Sequence, residues 1–360
     1  MQVVLSLNPG GTERLVLALV RRLRTRFSMT VCCLEEPGLW AADLHAEGIA
    51  VHALRRTPGL HPALGKRIRD IARQVGAGVL HCHQYSPFVY GCLARALSPR
   101  LSIVFTEHGR LSDAPPSAKR RLVNPLISRF ADRILSVSHD LRRHMVAEGL
   151  PASRVEVVHN GVDVEPPANR ARDELRAELS LPAGAIAIVT VARLDPVKHL
   201  GAALEALTIL RRLHNVVLVI VGGGSEHEAL RAQAIQLGVD DAVRWLGHRD
   251  DARAWLGGCD IYVNTSISEG ISLTILEGMA AGLPAVVTAV GGTPEIVDST
   301  CGVLVPARDA AALADAIRPL ATDSALRERL GRAARERVLS QFTLDRMVDS
   351  YARMYEELSH

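Results

Sequence analysis

The sequence predicts an α/β fold of two successive doubly wound parallel sheets followed by one helix. Three observations predict it. Short β-branched runs alternate with amphipathic helical stretches along the whole chain; the alternation restarts after Pro166-Pro167; and the last helical stretch has no strand behind it. In the first half, residues 3–7, 30–34, 49–54, 78–83, 102–107, 134–137 and 155–159 read as strands. Residues 12–24, 64–75, 90–97, 119–130 and 140–148 carry the helical spacing between them. In the second half, residues 186–192, 216–221, 243–246, 261–264, 285–288 and 302–305 read as strands, with helices in the gaps. The predicted domains are therefore residues 1–165 and 166–342. Residues 343–360 hold a last helix, at 344–358, expected to pack back on the first domain. Sheets of this kind take ligands at the carboxyl ends of their strands, so a central cleft between the two domains is the expected site.

Composition narrows the function classes. Of 360 residues 48% are apolar, enough for two cores, yet no uninterrupted apolar run reaches the roughly 20 residues of a membrane span. The apolar stretch at residues 2–7 stops at Pro9-Gly10-Gly11, before any cleavage-like site, and does not read as a secretory signal. Six cysteines are scattered without C-x-x-C spacing, which fits buried thiols in a reducing compartment and a cytoplasmic location.

The net charge of +3 conceals an asymmetry. Residues 1–163 hold 22 Lys and Arg against 13 Asp and Glu, whereas residues 164–360 hold 20 against 26. A basic half beside an acidic one suggests an anionic partner, although an ordinary solvated basic surface has the same composition. Five Phe and five Tyr are few for base stacking, so no nucleic acid is expected. An anionic membrane surface, contacted peripherally from the inner face, or an anionic or lipid-linked acceptor fits better.

Three segments carry chemistry. Pro9-Gly10-Gly11-Thr12-Glu13-Arg14 follows the first strand and opens a helix, where backbone amides favour an anion. It lacks G-x-G-x-x-G and any Gly-Lys-Ser/Thr, as does Gly222-Gly223-Gly224, and a plain βα turn would look the same. Arg193 and Lys198, five residues apart after the second domain's first strand, put two cations where a departing diphosphate gathers charge; a surface ion pair of Arg193 with Asp195 is the alternative. The third segment runs from Ser268 to Pro284 and places Glu269 in the loop after a strand and Glu277 in the next helix. The helix start at Ile271, Ser272 and Leu273 offers amides to phosphate, and carboxylates on either side of it can accept sugar or ribose hydroxyls.

Glu269 and Glu277, with seven residues between, resemble the E-x7-E signature of retaining GT-B glycosyltransferases. Gly282-Leu283-Pro284, the stretch from Val290 to Val297, Arg193 with Lys198, His159-Asn160-Gly161-Val162-Asp163 and the early Gly-Gly-Thr-Glu-Arg are similar to glycosyltransferase family 4. Thr106-Glu107-His108-Gly109-Arg110 is similar to a subgroup of bacterial exopolysaccharide-associated sugar transferases.

The resemblance implies a GT-B fold of two Rossmann-like domains and transfer of a sugar, with retention, from a UDP- or GDP-sugar. The acceptor would be a saccharide or lipid-linked, in cell-surface polysaccharide or glycolipid synthesis. It further implies that Arg193 and Lys198 hold the donor diphosphate and that Glu277 binds the ribose. Glu269 and Gly270 would contact donor sugar hydroxyls. His108 would sit at the reacting centre, making His108 and Glu269 the catalytic pair. Gly10 and Gly11 would approach the phosphates and the acceptor, and Gly247-His248-Arg249 would lie at the base. Ser272 departs from the Gly or Pro of many members, which bears on the donor sugar. No Asp-x-Asp motif occurs, and neither a metal nor another cofactor is expected. His81-Cys82-His83 lacks a third ligand at metal-binding spacing and reads as core or cleft histidines. The segment from Pro115 to Leu126 alternates basic and apolar residues and could touch a membrane or pack as an ordinary amphipathic helix. The segment from Asn160 to Pro167 is the expected hinge. A GT-B epimerase or hydrolase would bind the same donor without an acceptor. A noncatalytic nucleotide-sugar-binding protein would be expected to have lost part of the Arg193, Lys198, Glu269 and Glu277 set.

Overall fold

A computed structural model of the chain describes residues 1–109, 115–165 and 170–359. Arg110 of the sequence motif and Pro166-Pro167 at the domain restart and expected hinge lie outside the described residues. The chain forms two compact units. The first takes the described residues up to Asn160 and returns at Leu344; the second spans Gly161–Thr343.

The first unit is a seven-stranded parallel sheet. Its strands are β1 (Gln2–Val4), β2 (Thr30–Cys33), β3 (Ala50–Ala53), β4 (Val79–His83), β5 (Ser102–Glu107), β6 (Arg133–Ser136) and β7 (Val155–Val157). They lie in the order β3-β2-β1-β4-β5-β6-β7. Helices cover both faces of such a sheet, so its inner strands are buried, β1 and β2 along their whole length, and the polar Gln2, His81 and His83 are buried with them. The strand order reverses at β1, which pairs with β2 on one side and β4 on the other. Loops leaving β1 and β4 therefore diverge and open a binding edge. The Gly11–Leu23 helix buries Leu15, Val16, Leu19, Val20 and Leu23, one stripe at helical spacing, against this sheet.

The C-terminal Leu344–Leu358 helix belongs to the first unit and buries Met347, Val348, Tyr351, Ala352, Met354 and Tyr355. Its rim is charged: Arg26 meets Glu356 at 2.6 Å, Arg133 meets Glu357 at 2.8 Å and Arg22 meets Asp345 at 3.2 Å. Phe27 stacks edge-on to Tyr355, with ring centroids 5.7 Å apart.

The second unit repeats the design with six parallel strands. These are β8 (Ile186–Val191), β9 (Val216–Val221), β10 (Val243–Gly247), β11 (Ile261–Asn264), β12 (Ala285–Thr288) and β13 (Gly302–Val305). Their order is β10-β9-β8-β11-β12-β13, with the reversal between β8 and β11. One core of Ile, Leu, Val and Ala side chains, including Leu204, Leu207, Leu218 and Ile317, fills the space under the Gly201–Leu210 and Ala310–Thr322 helices.

Several element boundaries differ from the sequence reading. The helix expected at 90–97 begins at Tyr85, because Gln84 takes a left-handed φ of 75° and turns the chain directly out of β4. The helix expected over 119–130 is α-helical to Ile127, with Pro125 inside it, and continues as a 3-10 turn over Ser128–Phe130. Short helices at Ala41–Ala46 and Arg172–Glu178 were not foreseen. All six cysteines are buried and unpaired. Among the described residues no helix is long and apolar enough to cross a membrane.

Candidate functional site

Each unit assembles its sequence-predicted residues at the carboxyl edge of its sheet. In the second unit, β8 runs into a loop carrying Arg193, and Asp195 caps the following 3-10 turn, accepting from the Lys198 amide. The Arg193 guanidinium donates through Nε to Asp195 at 2.7 Å and remains 69% exposed. Lys198 points the other way. Its Nζ lies 2.7 Å from Oε1 of Glu269, with side-chain exposures of 22% and 9%. The same Oε1 accepts from Ser266 Oγ at 2.7 Å and from Asn264 Nδ2 at 3.4 Å. Three donors on one oxygen fix the Glu269 carboxylate and neutralise it locally. The two loops are tied by backbone as well: Ile267 N donates to Val197 O at 2.9 Å, and Thr265 Oγ1 donates to Lys198 O at 2.8 Å.

Glycines allow this crowding at two places. Gly222, at φ 145°, would put a Cβ 1.8 Å from Ala192 O, so only glycine lets the loop after β9 press against the backbone just before Arg193. Gly291, at φ 52°, would put one 1.9 Å from Glu269 O. Gly292 N then donates to Gly270 O at 3.1 Å, and the loop after β12 becomes a backbone rest for Glu269 and Gly270.

The Leu273–Ala280 helix starts beside this rest. Ser272 is its N-cap, its hydroxyl accepting from Ile275 N at 3.5 Å. The departure at Ser272 thus has a structural reason: it caps the helix that follows Ile271. Glu277, 4% exposed, sits in the second turn. Tyr262 lies under the same helix, where a Cβ at Gly278 would fall 2.5 Å from its ring. Burial pushes the Tyr262 phenol above its ordinary range, and the Glu277 and Glu269 charges push it further. Gly247 ends β10 and accepts from Gly222 N at 2.7 Å. His248 is exposed beside Asp250, while Arg249 is held by Asp251 at 2.9 Å and stacks 5.1 Å from the Trp255 ring centroid.

In the first unit Gly10 precedes the Gly11–Leu23 helix in extended backbone, and no side chain caps that helix start. His108 follows β5. Its Nε2 lies 2.9 Å from His83 Nδ1, and burial lowers its pKa to about 3. Neighbouring Glu107 is buried at the end of β5 and pushed up to about 7 by desolvation, against the pull of Arg120 and the amides of His108 and Gly109. Arg120 lies 3.9 Å above the Tyr85 ring and 2.9 Å from Glu148. His81 and His83 are fully buried and hydrogen-bonded on both ring nitrogens, which makes them core histidines.

Sequence reasoning quoted Glu107, Gly222 and Gly291 within motifs without giving them a role of their own, and it missed Tyr351 and Tyr355. The two tyrosines, four apart on an amphipathic stripe, carry the ordinary signature of packing and no sign of the histidines they meet.

Two family profiles cover most of the chain: Glycosyltransferase Family 4 matches residues 9–166, and Glycosyl transferases group 1 matches residues 171–337. The chain is 26% identical over 321 residues to N-acetyl-alpha-D-glucosaminyl L-malate synthase of Bacillus anthracis, covering 87% of this chain and 84% of that protein. It is 31% identical over 281 residues to D-inositol 3-phosphate glycosyltransferase of Kribbella flavida, covering 72% and 66%. Among solved structures, Anabaena HepE in complex with UDP superposes with a TM-score of 0.88 at 22% identity, over 99% of both chains. A Rickettsia africae glycosyltransferase does so with a TM-score of 0.86 at 20% identity, over 99% and 97%. At such identities these two structures bear on the fold alone, and the fold is GT-B.

Proposed function

Because the chain belongs to glycosyltransferase family 4, we propose that it moves a sugar from a nucleoside-diphosphate sugar to a hydroxyl of a saccharide or lipid-linked acceptor, with retention and without a metal. The observation that carries the reading is the Lys198–Glu269 pair at 2.7 Å, held beside Arg193 and the start of the Leu273–Ala280 helix on one sheet edge. A cation, a second cation that stays largely exposed beside Asp195, and a helix start suit a leaving diphosphate. A buried carboxylate fixed by three donors suits the hydroxyls of a sugar.

In this reading Arg193, Lys198, the amides of Ile271, Ser272 and Leu273, and the Gly10-Gly11 turn hold the diphosphate. Glu277 takes the ribose, Gly247-His248-Arg249 the base, and Glu269 with Gly270 the donor sugar. His108 contacts the transferred sugar. The bond from the anomeric carbon to the diphosphate oxygen breaks, and the acceptor oxygen bonds to that carbon on the same face. The acceptor proton passes to the leaving diphosphate oxygen. Such a path needs a strongly stabilised leaving group, which two cations supply at about 1.5–3 kcal/mol per charge-assisted contact.

UDP is the first donor to try, since HepE was crystallised with it. The two curated relatives are named for L-malate and D-inositol 3-phosphate, both anionic and hydroxylated, and the positive surplus of residues 1–163 suits an acceptor of that kind. The Ala118–Ile127 helix supports a peripheral membrane contact at the cytoplasmic face: Leu122 is 83% exposed, Val123 and Leu126 are exposed beside it, and Lys119 and Arg121 flank them.

Thermal stability with UDP, GDP and ADP, with and without EDTA, tests the donor side. A nucleotide at 100 times its dissociation constant should add about 2.7 kcal/mol. Stabilisation by one of them in EDTA, lost in Arg193→Ala, is the expected result. No stabilisation by any of the three would sink the reading.

A further inference from the structure

Five hydrogen bonds string six side chains of the first unit into one line. Thr106 Oγ1 lies 2.8 Å from His81 Nε2, and His81 Nδ1 lies 2.5 Å from the Tyr355 hydroxyl. Gln2 Nε2 donates to that hydroxyl at 3.2 Å. Gln2 Oε1 lies 2.8 Å from His83 Nε2, and His83 Nδ1 lies 2.9 Å from His108 Nε2. Thr106, Gln2, His81, His83 and Tyr355 are all buried. At the end of the line, His108 Nδ1 is buried with no hydrogen-bond partner among the described residues.

A neutral imidazole has one N–H and one bare nitrogen, so each bond in such a line dictates the next. Burial keeps all three histidines neutral, holding His81 and His83 well below their ordinary pKa and His108 at about 3. Gln2 is the one member of the line whose donor and acceptor are chemically fixed, since an imidazole can change tautomer and a hydroxyl can do either, so its orientation sets the direction of the rest. With its oxygen toward His83, His83 donates from Nε2 and is bare at Nδ1. His108 must then donate from Nε2, which leaves its own Nδ1 bare. On the other side, the Gln2 amide donates to Tyr355, Tyr355 donates to His81 Nδ1, and His81 donates from Nε2 to Thr106 Oγ1.

We propose that this line locks His108 as the neutral Nε2–H tautomer, making its bare Nδ1 an acceptor for a substrate hydroxyl, and that Gln2 and Tyr355 are the positioning residues that do so. The group recognised there is a hydroxyl donor and not a carboxylate or phosphate, which a bare lone pair would repel. The C-terminal helix thereby gains a role beyond packing, because it alone brings the Tyr355 hydroxyl to the histidines. The placement of His108 at the transferred sugar rests on the proposed function; the tautomer does not.

Nitrogen-15 spectra of histidine-labelled full-length protein near pH 7.5 test the tautomer without substrate, with His108 assigned by its loss in His108→Gln. The expected wild-type result is a protonated Nε2 and a bare Nδ1 at His108. Gln2→Met removes both central bonds at nearly constant volume. It should convert the His108 signals to an average of two tautomers and lower kcat/KM three- to tenfold, through kcat more than KM. Arg26→Gln, which loosens the same helix at Glu356 without touching the line, should leave the His108 signals unchanged. A protonated Nδ1 in the wild type, an imidazolium, or an unaltered spectrum in Gln2→Met would overturn the proposal. If Gln2→Met fails to fold, the wild-type spectrum alone decides. A locked tautomer in a protein without transfer activity would uphold the tautomer and remove the proposed function.

Discussion

Replacing Lys198 with Met separates what the lysine does for the fold from what it does for the diphosphate. Its Nζ is one of three donors on Glu269 Oε1, at 2.7 Å, and both side chains are less than a quarter exposed. Removing one partner of a fully buried pair costs about 3–5 kcal/mol, because the other charge is stranded. Here Ser266 and Asn264 still donate to the carboxylate, so a loss of about 2–3 kcal/mol is expected. For a unit the size of Gly161–Thr343 this lowers Tm by roughly 4–12 °C. Adding Glu269→Gln removes the stranded charge and should recover most of that stability.

Affinity should behave differently. Loss of one charge-assisted contact to phosphate weakens nucleoside-diphosphate binding roughly 10- to 150-fold, and the second substitution cannot restore it. Glu269→Gln alone should bind the free diphosphate as well as wild type or better, since Lys198 is released, yet transfer sugar poorly. Calorimetric titration with the nucleoside diphosphate and thermal unfolding of the four proteins complete the cycle. The reasoning is refuted if Lys198→Met binds the nucleotide with wild-type affinity, or if Glu269→Gln restores affinity to it.

Three further outcomes follow from the same geometry. Gly291→Ala puts a methyl group 1.9 Å from Glu269 O at a left-handed φ, so about 2–4 kcal/mol of stability and most transfer activity should be lost; an active variant of native stability would contradict the backbone rest. Because burial lowers the folded-state pKa of His108, its contribution to stability is complete above the unfolded value of about 6.5 and fades as pH falls toward 3. His108→Gln should therefore lose about 2 kcal/mol less than wild type in urea unfolding between pH 7 and pH 5, and equal losses would show that His108 is not desolvated. Leu122→Ser with Leu126→Ser should abolish sedimentation with anionic vesicles while leaving nucleotide binding intact; unchanged sedimentation would remove this helix as the contact.

The alternation of strand and helix was legible because inner strands of a parallel sheet are apolar on both faces, as β8 and β9 show. The helix after β4 was misplaced because its first turn, Tyr85 to Phe88, contains Pro87 and follows a Gln in left-handed backbone, neither of which shows as periodicity. Charged members of the site were visible one by one: Arg193, Lys198, Glu269 and Glu277 are residue types that need partners. Their supports were not. Gly291 and Gly222 matter through backbone contacts made across more than 20 residues of chain, and a glycine in a turn looks the same whether or not another strand leans on it. Gln2 and Tyr355 lie 353 residues apart and meet only because the last helix returns to the first unit. The capping of the Leu273–Ala280 helix by the Ser272 hydroxyl did not show in the sequence, where Ser272 read as a family departure bearing on the donor sugar.

The most direct test measures nucleoside-diphosphate release from UDP-, GDP- and ADP-sugars, each with and without a panel of anionic hydroxylated acceptors and saccharides. The account predicts that one donor releases its diphosphate only when an acceptor is present, with a new glycoside recovered and the rate at least tenfold lower in Lys198→Met. Release that proceeds equally without any acceptor, or that survives Lys198→Met undiminished, would contradict it.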